Sequence, residues 1–486
     1  AQVWGLLRSL AHEHPELDAT NIDVSGHFKG DQVSAELDSL LGELLGPSQE
    51  TQVVLRDDRR WVARLTALPK SPSPTQVVSR EPREGVIREG ATYVITGGLG
   101  GLGLVLAQWL VDRGASHLVL VGRSDPSSDA RHVCDALTAQ GAEVRVALAD
   151  VASEEELGRL FDGLGDMPPV RGVIHAAVVL DDGIMLQQTK ERFASVARAK
   201  VRGTWNLHRV TRELPLDFFV IFSSAVSVLG SPGQSNYAAA SAFTDAFAHS
   251  LRQQGRPALS INWGPWAEVG RAAQRGASAG ERGVASMTPE RALRVFERLL
   301  KREVPQVAVL DLDLRQWREF HVAAARLPLL SSLEAEGSGL ARKPRDSGAL
   351  LGQLREAAAD RREDMLLAEL RRQVAGVLRM QASRIEPKTP FASLGLDSLM
   401  GLEIRNRLEA SLGIRLPATL VWSYPNVHAL SSYLLEKLEL KVEPAPPLGP
   451  SPDSTAGETS SELEALSDDE ARTLLLDELM QTEGMV

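Results

Sequence analysis

Seven short apolar runs alternate with helical stretches through the middle of the chain, and this order constrains the fold more than any other feature. The predicted strands are Tyr93–Thr96, Leu118–Val121, Val144–Leu148, Gly172–His175, Phe218–Phe222, Ala258–Asn262 and Val307–Leu310. Near-continuous apolar strands with helices between them are typical of a parallel sheet that is covered on both faces. The sequence therefore predicts a doubly wound α/β domain.

A glycine-rich turn follows the first of these strands and opens a helical stretch. Glycines in such a turn let the backbone approach a pyrophosphate, which binds at the positive N-terminus of the helix. A flexible loop or a tight helix–sheet contact would also use glycines, but here strand, turn, helix and next strand occur in the order of a Rossmann-type nucleotide site. The residues assigned to this turn are Thr96, Gly97, Gly98, Leu99, Gly101, Leu102 and Gly103.

Residues that end the next two strands indicate which dinucleotide would bind. Arg123 and Ser124 occupy the position where an acidic residue would hold the ribose hydroxyls of NAD. A guanidinium there fits a 2′-phosphate and favours NADPH, although an ordinary surface arginine is the alternative. Asp150, which we assign to the same pocket with Val151, would accept a hydrogen bond from the adenine amine or, alternatively, cap a helix.

Three polar side chains form a candidate catalytic set, and two of them are predicted to lie at the carboxyl edge of the sheet, where such folds bind ligands. Ser224 ends a predicted strand, Tyr237 begins the next helix, and Lys200 precedes both. Reduction of a ketone needs an acid for the forming alkoxide and a donor that holds the oxygen, and Tyr237 and Ser224 suit these roles. The charge of Lys200 would make the phenol a stronger acid. Taken singly, each residue has an ordinary alternative as a solvated lysine, a strand-end serine or a packed tyrosine.

Composition excludes several other classes of function. The net charge of −11 disfavours nonspecific binding to nucleic acid, because a phosphate backbone binds a basic surface. No apolar run approaches the roughly 20 residues that span a bilayer, and the single cysteine, Cys134, excludes an internal disulfide and a cysteine-based zinc site. These features predict a cytoplasmic protein without a membrane segment or a bound metal. The start has neither an initiator methionine nor a signal sequence, which suggests a piece of a longer chain.

Residues 91–312 resemble the catalytic half of a modular polyketide synthase ketoreductase, within the short-chain dehydrogenase/reductase superfamily. The segments that carry the resemblance are Thr96–Gly103, His175-Ala176-Ala177, Lys200-Val201-Arg202-Gly203-Thr204, Phe222-Ser223-Ser224, Tyr237-Ala238-Ala239-Ala240 and Asn262-Trp263-Gly264-Pro265-Trp266. The resemblance implies NADPH-dependent reduction of a β-ketoacyl thioester. It adds His175, Ala176, Ala177 and Asn262 to the expected cofactor site.

One position departs from the family pattern. In polyketide ketoreductases the lysine is upstream, as at Lys200, and an asparagine usually stands four residues after the tyrosine; this chain has Ser241 there. A serine can still bond Lys200 or a water, with a shorter reach and no amide. We therefore expect an active reductase and place Ser241 in the catalytic set. A silent reductase scaffold that serves only the carrier and its interactions is the alternative.

The resemblance also bears on stereochemistry. Leu180, Asp181 and Asp182 match the B-type ketoreductase motif, which implies a β-hydroxyl of the D configuration. The tryptophan of A-type enzymes is absent, because Leu229 stands eight residues before Tyr237. On the residues alone, the two aspartates would be interpreted as a solvated acidic turn. The Gly/Ala/Ser-rich segment Ala267–Met287 is predicted to form a lid over the substrate.

A second site is predicted near the C-terminus. Apolar residues at helical spacing predict an all-helical domain over residues 350–438, with Gly395-Leu396-Asp397-Ser398-Leu399 at the start of one helix. This domain resembles an acyl carrier protein, a four-helix bundle, which implies that Ser398 receives 4′-phosphopantetheine from a separate transferase, with Asp397, Leu399 and Met400 as recognition surface. An ordinary helix-capping serine is the alternative.

Polar, Pro- and Ser-rich breaks divide the chain into predicted segments. The reductase part consists of residues 1–88, a partial α/β structural subdomain, and 89–335, the Rossmann-type catalytic subdomain; we expect the opening portion of the first to be missing. A linker over 336–349 leads to the carrier over 350–440. A Pro-rich linker over 441–460 leads to 461–486, which is either a helical docking tail or a frayed solvated tail. The resemblance implies partners: a phosphopantetheinyl transferase, upstream ketosynthase and acyltransferase domains, and a downstream subunit, within a homodimeric synthase. A fatty-acid synthase segment is a further alternative, which the B-type motif and the linker layout argue against.

Overall fold

The computed structural model describes residues 1–24, 32–46, 50–56, 59–69, 86–270, 283–321, 328–333, 349–378, 380–396, 398–417 and 419–440. All of them belong to one compact unit, Ala1–Lys441. The predicted Pro-rich linker and C-terminal tail lie outside the described residues, as does almost all of the 336–349 linker. Within the described ranges, no helix combines the length and apolar character needed to cross a membrane.

The leading segment is a small α/β unit, as predicted. Its elements are α1 (Gln2–Glu13), a 3₁₀ turn (Pro15–Leu17), β1 (Asn21–Asp23), α2 (Gln32–Leu45), β2 (Gln52–Arg56) and β3 (Arg59–Val62). Strand β1 pairs parallel with β2, which pairs antiparallel with β3.

A seven-stranded parallel sheet forms the centre of the catalytic half. Its strands are β4 (Thr92–Thr96), β5 (His117–Gly122), β6 (Glu143–Leu148), β7 (Val170–His175), β8 (Phe218–Ser224), β9 (Ala258–Trp263) and β11 (Gln306–Val309), in the order β11-β9-β8-β7-β4-β5-β6. A short antiparallel pair, β10 (Val284–Ala285) and β12 (Asp311–Leu312), lies apart from it. Each predicted strand is present, with ends that differ by at most two residues. The chain leaves β4 first toward β6 and then returns to the other side with β7, so a ligand crevice is expected at the carboxyl ends of β4 and β7.

Helices cover both faces of this sheet. They are α3 (Gly101–Asp112), α4 (Ser128–Ala139), α5 (Glu154–Asp162), α6 (Lys190–Ala197), α7 (Gly203–Thr211), α8 (Val226–Leu229), α9 (Ser235–Gln253), α10 (Pro289–Leu300) and α11 (Leu314–Phe320), with 3₁₀ turns at Met185–Gln187 and Pro328–Leu330. Alternate residues of β4 enter different cores: Tyr93 and Ile95 pack with α3, α4 and α10, whereas Val94 packs with α5, α7 and α9. Both faces are therefore buried, which explains the continuous apolar runs.

The carrier segment is helical, as predicted. Its elements are α12 (Ala349–Glu356), α13 (Arg362–Leu378), α14 (Ser398–Leu412), α15 (Leu420–Ser423) and α16 (Val427–Lys437), with 3₁₀ turns at Ala359–Arg361, Ala382–Arg384 and Phe391–Leu394. Leu366, Leu370 and Val374 lie on one face of α13 and pack in a single apolar core with Ile404 and Leu408 of α14. The spacing of four residues puts these side chains on the same side of each helix.

Candidate functional site

A cavity of about 670 Å³ opens at the carboxyl edge of the sheet, between the strand ends and the N-terminus of α3. Two glycines of its wall have no room for a side chain. Gly97 has a φ of +68°, and a Cβ there would lie 2.9 Å from the Ala176 backbone. A Cβ on Gly103 would lie 2.3 Å from the Gly97 carbonyl oxygen. At these two positions only glycine fits, so the turn presents bare backbone there to the space in front of α3, which suits a bound pyrophosphate.

The structure places most of the predicted cofactor residues on this cavity. Those that line it are Gly97, Leu99, Gly101, Leu102, Gly103, Arg123, Ser124, Asp150, Val151, Ala176 and Ala177. Thr96, Gly98, His175 and Asn262 do not line it. Gly98 is needed for close packing instead, since a Cβ there would lie 2.6 Å from the Ile95 carbonyl oxygen.

His175 and Thr96 lie beneath the cavity floor. The Nε2 of His175 is 3.1 Å from the Ala199 carbonyl oxygen, which can only accept, so Nε2 carries the proton. Its Nδ1 then accepts from the Thr96 hydroxyl at 2.6 Å. Burial, with the nearby charge of Lys200, lowers the pKa of His175 to about 3, and the ring is neutral. His175 thus joins β4 and β7 to the turn that carries Lys200. The resemblance implied a contact between His175 and the cofactor, but the side chain is buried below the cavity and does not line it.

Two arginines line the same cavity as Asp150. Arg123 is exposed, and Arg198, which the sequence did not single out, donates to the Asp150 carboxylate at 2.9 Å. The pKa of Asp150 is below its ordinary value. Burial alone would raise it, but hydrogen bonds from the Ala152 amide and the Arg198 guanidinium lower it by more. Ser153, whose hydroxyl accepts from the Glu156 amide, is the N-cap of α5, so Asp150 does not cap that helix.

Lys200, Ser224 and Tyr237 lie close together in the structure. Lys200 lies on a single π-helical turn, Arg198–Arg202, between α6 and α7. Its Nζ donates to the Phe222 carbonyl oxygen at 2.9 Å and lies 4.9 Å from the centre of the Tyr237 ring. Ser224 ends β8, and its hydroxyl accepts from the Val226 amide at 3.3 Å, which leaves its proton available to another acceptor.

The titration properties of this cluster differ from the expectation in one respect. Burial raises the pKa of Tyr237 to about 12; the Ser224 and Ser241 hydroxyls oppose that shift, and the Asp182 charge adds to it. The expected net lowering by Lys200 is therefore not present, because burial dominates. Burial also lowers the pKa of Lys200 to about 8, against the opposing effect of Asp245. At neutral pH the lysine is charged and the phenol is protonated.

Ser241 makes no direct bond to Lys200, whose ammonium is bonded to Phe222 instead. The Ser241 hydroxyl is buried near the Tyr237 phenol and has no partner at hydrogen-bonding geometry among the described residues. Its backbone carbonyl accepts from the Thr244 hydroxyl at 2.7 Å.

A buried carboxylate lies behind the cluster, at Asp245 on α9. It accepts from the Ser227 hydroxyl at 2.6 Å, the Ser260 hydroxyl at 2.6 Å and the Asn262 amide at 2.8 Å. Asn262 is therefore part of this network and not of the cavity wall. No local pattern in the sequence marks Asp245, because an acidic residue on a helix is usually solvated.

The acidic pair of the predicted B-type motif, Asp181 and Asp182, contacts the start of α9. The Asn236 amide donates to the Asp181 carbonyl oxygen at 2.7 Å, and the Gln234 amide donates to the Asp182 carboxylate at 3.1 Å. The guanidinium of Arg192 donates to the Asp182 carbonyl oxygen at 3.1 Å. These bonds hold the backbone of the segment and the Asp182 carboxylate near Tyr237, whereas the Asp181 side chain remains 36% exposed beside Arg192. Leu229 is buried against Trp317 and Leu330.

Only the ends of the predicted lid can be placed, because residues 271–282 lie outside the described residues. Gly270 lines the cavity, and a Cβ there would contact the Leu102 side chain. Trp266 and Met287 form an isolated bridge at the base of the segment.

Ser398 is the first residue of α14. The preceding 3₁₀ turn ends at Gly395, which has a φ of +80° that favours glycine. Asp397 lies outside the described residues. Because α14 runs for 15 residues, the backbone N–H groups of its first turn have no partner within the helix, and this positive end suits a phosphodiester.

Comparison with known proteins assigns both regions. The KR domain family matches residues 91–268, and the phosphopantetheine attachment site family matches residues 368–434. Polyketide synthase GfsA of Streptomyces halstedii is 37% identical over 450 residues, which are 89% of this chain and 6% of that protein. Erythronolide synthase EryA3 of Saccharopolyspora erythraea is 36% identical over 456 residues, 92% of this chain and 14% of that protein. The chain therefore spans less than a fifth of the length of these two relatives.

Solved structures give the same result for the reductase part. An A-type ketoreductase from a modular polyketide synthase is 33% identical, with a TM-score of 0.62, and the match covers 70% of each chain. The ketoreductase PlmKR1, from the first module of phoslactomycin biosynthesis in Streptomyces sp. HK803, is 29% identical with a TM-score of 0.60, over 71% of this chain and 76% of that one.

Proposed function

This chain belongs to the ketoreductase and acyl-carrier family of type I modular polyketide synthases, and from that premise we propose that it uses NADPH to reduce a β-ketoacyl thioester tethered to Ser398. The observation that carries the proposal is the meeting of Lys200, Ser224 and Tyr237, in which Lys200 directly follows Ala199, a residue that lines the glycine-rich cavity.

The cavity suits NADPH by its chemistry. Gly97 and Gly103 leave the backbone bare in front of α3, where a pyrophosphate would bind. Arg123 and Arg198 offer two guanidinium groups for a 2′-phosphate. When bound there, the cofactor supplies the hydride for the β-carbon.

The residues of the cluster divide the remaining work. Ser224 would donate its hydroxyl hydrogen to the ketone oxygen and hold it in place. Tyr237, which stays protonated because its pKa is about 12, would give its proton to the more basic alkoxide, so that the phenol O–H bond breaks as the alcohol O–H bond forms. Lys200 would stabilise the resulting phenolate, since its charge lies against the Tyr237 ring.

The stereochemical proposal is a B-type reduction to a D-β-hydroxyl. It depends on Leu180, Asp181 and Asp182, which match the B-type motif and are held beside Tyr237. Overall similarity does not decide the type, because the similar structures include enzymes described as A-type and C2-type. Chiral analysis of the product of the tethered reaction decides it.

The wider assembly forms part of the same proposal. We assign Ser398 as the acceptor of 4′-phosphopantetheine from a phosphopantetheinyl transferase. Upstream ketosynthase and acyltransferase domains would supply the β-ketoacyl chain, and a downstream subunit would receive the product, in the cytoplasm and within a homodimeric synthase.

The test is turnover of purified protein with NADPH and a β-ketoacyl thioester mimic. Tyr237→Phe should lower the rate at least about 100-fold and leave NADPH binding within about twofold, because the acid is lost and the cavity is kept. Tyr424→Phe, which changes a tyrosine stacked on Tyr433 in the carrier, is the matched control. Equal turnover of Tyr237→Phe and the parent protein would refute the role of Tyr237.

A silent reductase scaffold is the second candidate, and Ser241 favours it, because this residue stands where the family usually has asparagine and makes no bond to Lys200. In that case the parent protein binds NADPH but reduces no β-ketoacyl thioester, while Ser398 still accepts the arm.

A further inference from the structure

A buried arginine of the carrier reaches the first helix of the reductase. Arg405, on α14, has no exposed surface. Its guanidinium donates to the His12 carbonyl oxygen at 3.3 Å and to the Glu13 carbonyl oxygen at 2.9 Å. Both carbonyls belong to the last turn of α1.

This contact gives hydrogen-bond donors to backbone carbonyl oxygens at the C-terminal end of α1. The last carbonyls of a helix have no partner within it, and the helix dipole makes that end negative. The planar fork of an arginine can bond two such oxygens at once, which the single ammonium of a lysine does with poorer geometry. Glu409, one turn further along α14, lies 3.4 Å from the same guanidinium and balances its charge.

An apolar contact lies beside the arginine. Leu402 of α14 and Ile184 of the reductase are both buried and form a cluster of their own. A small cavity of about 190 Å³ adjoins them, and Gln187 and Thr419 face it from the two sides. Trp422 also borders this cavity and keeps 45% of its surface exposed.

The same end of α1 is bonded to the substrate side of the reductase. The Glu13 carboxylate accepts from the Met185 amide at 2.6 Å and from the Gly233 amide at 2.8 Å. Met185 follows the motif Leu180–Asp182, and Gly233 precedes α9, which carries Tyr237. A single residue thus connects the carrier contact with both loops beside the catalytic tyrosine.

We propose that this surface is the dock at which the carrier presents its own arm to the reductase, with Arg405 as the anchor and Glu13 as the positioning residue that joins the dock to the substrate entrance. The proposal rests on the proposed function of Ser398 and Tyr237. Ser398 precedes Leu402 by four residues, about one helical turn or 6 Å along the axis. Docking through Leu402 therefore holds the attachment residue beside the loop that carries the stereochemical motif.

The dock recognises the carrier through backbone carbonyls. Carriers that lack an arginine at this place would dock poorly on this reductase, whatever acyl chain they hold. Arg405→Lys is expected to give an intermediate effect, since it keeps the charge and loses the fork.

A crosslinking experiment on the unloaded full chain tests the dock without any reaction. Gln187→Cys and Thr419→Cys together place two thiols on opposite sides of the small cavity, and a short bismaleimide should join them; each single variant controls for the buried Cys134. Adding Arg405→Ala should slow crosslinking at least about tenfold, because truncation of a buried, hydrogen-bonded charge removes a large part of the interaction. Arg407→Ala is the matched control, since Arg407 lies on the same helix and pairs with Glu403 inside the carrier.

A kinetic experiment tests whether the dock serves reduction. The rate for a β-ketoacyl chain loaded on Ser398 is compared with the rate for a diffusible thioester mimic. Arg405→Ala should lower the ratio of these rates at least about tenfold, whereas Arg407→Ala should leave it unchanged. An unchanged ratio, or unchanged crosslinking, would overturn the dock. If the parent protein reduces neither substrate but crosslinks normally, the proposed reductase function is wrong although the carrier contact exists. That result would also refute the role of the contact in substrate delivery.

Discussion

The reductase and the carrier handle their polar residues in opposite ways. The reductase buries them: Lys200, His175, Asp245 and Asn262 are each at most 5% exposed. Each of them is hydrogen-bonded to a residue on a different strand or helical segment. The carrier has an apolar core, and Ser398, the proposed attachment residue, is the first residue of a helix. Its buried ion pair, Arg405 with Glu409, lies where it meets the reductase.

This difference follows from what each part must do. A proton transfer needs groups whose pKa values are set in advance by burial and neighbouring charges, so the reductase fixes them within its core. A carrier needs an accessible attachment point and a surface that other domains can recognise. Substitutions in the reductase should therefore change its kinetics by graded amounts, through the electrostatics of the site. Substitution of Ser398 in the carrier should instead abolish loading completely.

The largest expected effect lies in the carrier. Ser398→Ala removes the hydroxyl that would form the phosphodiester, so treatment with coenzyme A and a phosphopantetheinyl transferase should give no mass gain by intact mass spectrometry. Ser393→Ala, in the 3₁₀ turn before α14, is the control and should load fully. Loading of Ser398→Ala at another residue would break the comparison, because the carrier would then not depend on one hydroxyl.

The second effect concerns the two arginines at the cavity. Arg123→Ala with Arg198→Ala should raise the KM for NADPH by about 100-fold, because each charge-assisted hydrogen bond to a phosphate contributes about 1.5–3 kcal/mol. The KM for NADH should change little. Arg113→Ala, which breaks an ion pair with Glu297 outside the cavity, is the control. A parallel loss for both cofactors would contradict a role in 2′-phosphate binding.

The third effect is a shift in pH dependence. Reduction should fall as pH rises through about 8, where Lys200 loses its proton, while Tyr237 stays protonated until about pH 12. Since the charge of Asp245 raises the pKa of Lys200, Asp245→Asn should move this fall to lower pH. Ser260→Ala keeps that charge and removes one of its hydrogen bonds, so its profile should resemble that of the parent protein. A profile that is flat between about pH 7 and 10 would exclude the lysine as the titrating group.

The sequence predicted the parts of the molecule that depend on local pattern. Continuous apolar strands, the glycine turn and the spacing of Leu366 and Leu370 were enough to predict the sheet, the cavity wall and the helical carrier, because each follows from backbone geometry and period. The meeting of Ser224 with Tyr237 also follows from topology, since Ser224 ends a strand at the carboxyl edge of the sheet and Tyr237 begins a helix shortly after it. Lys200 reaches them from a π-helical turn that strand topology does not predict.

The remaining contacts depend on tertiary packing and have no local signature. Arg198, Asp245 and Arg405 all lie on helical turns, where a charged residue is ordinarily solvated. Asn262 was assigned to the cofactor by resemblance, but its amide bonds Asp245 beneath the site. His175 follows the same logic, because a strand-end position does not tell whether the side chain points into the cavity or below it.

The smallest expected effect concerns Ser241, where the reductase departs from its family. The buried Ser241 hydroxyl acts on the Tyr237 phenol but makes no hydrogen bond of good geometry, so the cost of its burial, about 1–3 kcal/mol for an unpaired group, is only partly offset. Ser241→Ala should therefore be as stable as the parent protein or slightly more stable in thermal unfolding. Its turnover should stay within about threefold, because Lys200 is already held by the Phe222 carbonyl oxygen. Ser241→Asn restores the family's residue but adds volume at a fully buried position, so it should lower the melting temperature and change turnover little. A large gain in turnover for Ser241→Asn, with NADPH binding unchanged, would mean that Lys200 needs a second partner here. The parent reductase would then be impaired because it lacks one amide, and its buried polar residues would not all have the hydrogen bonds that catalysis needs.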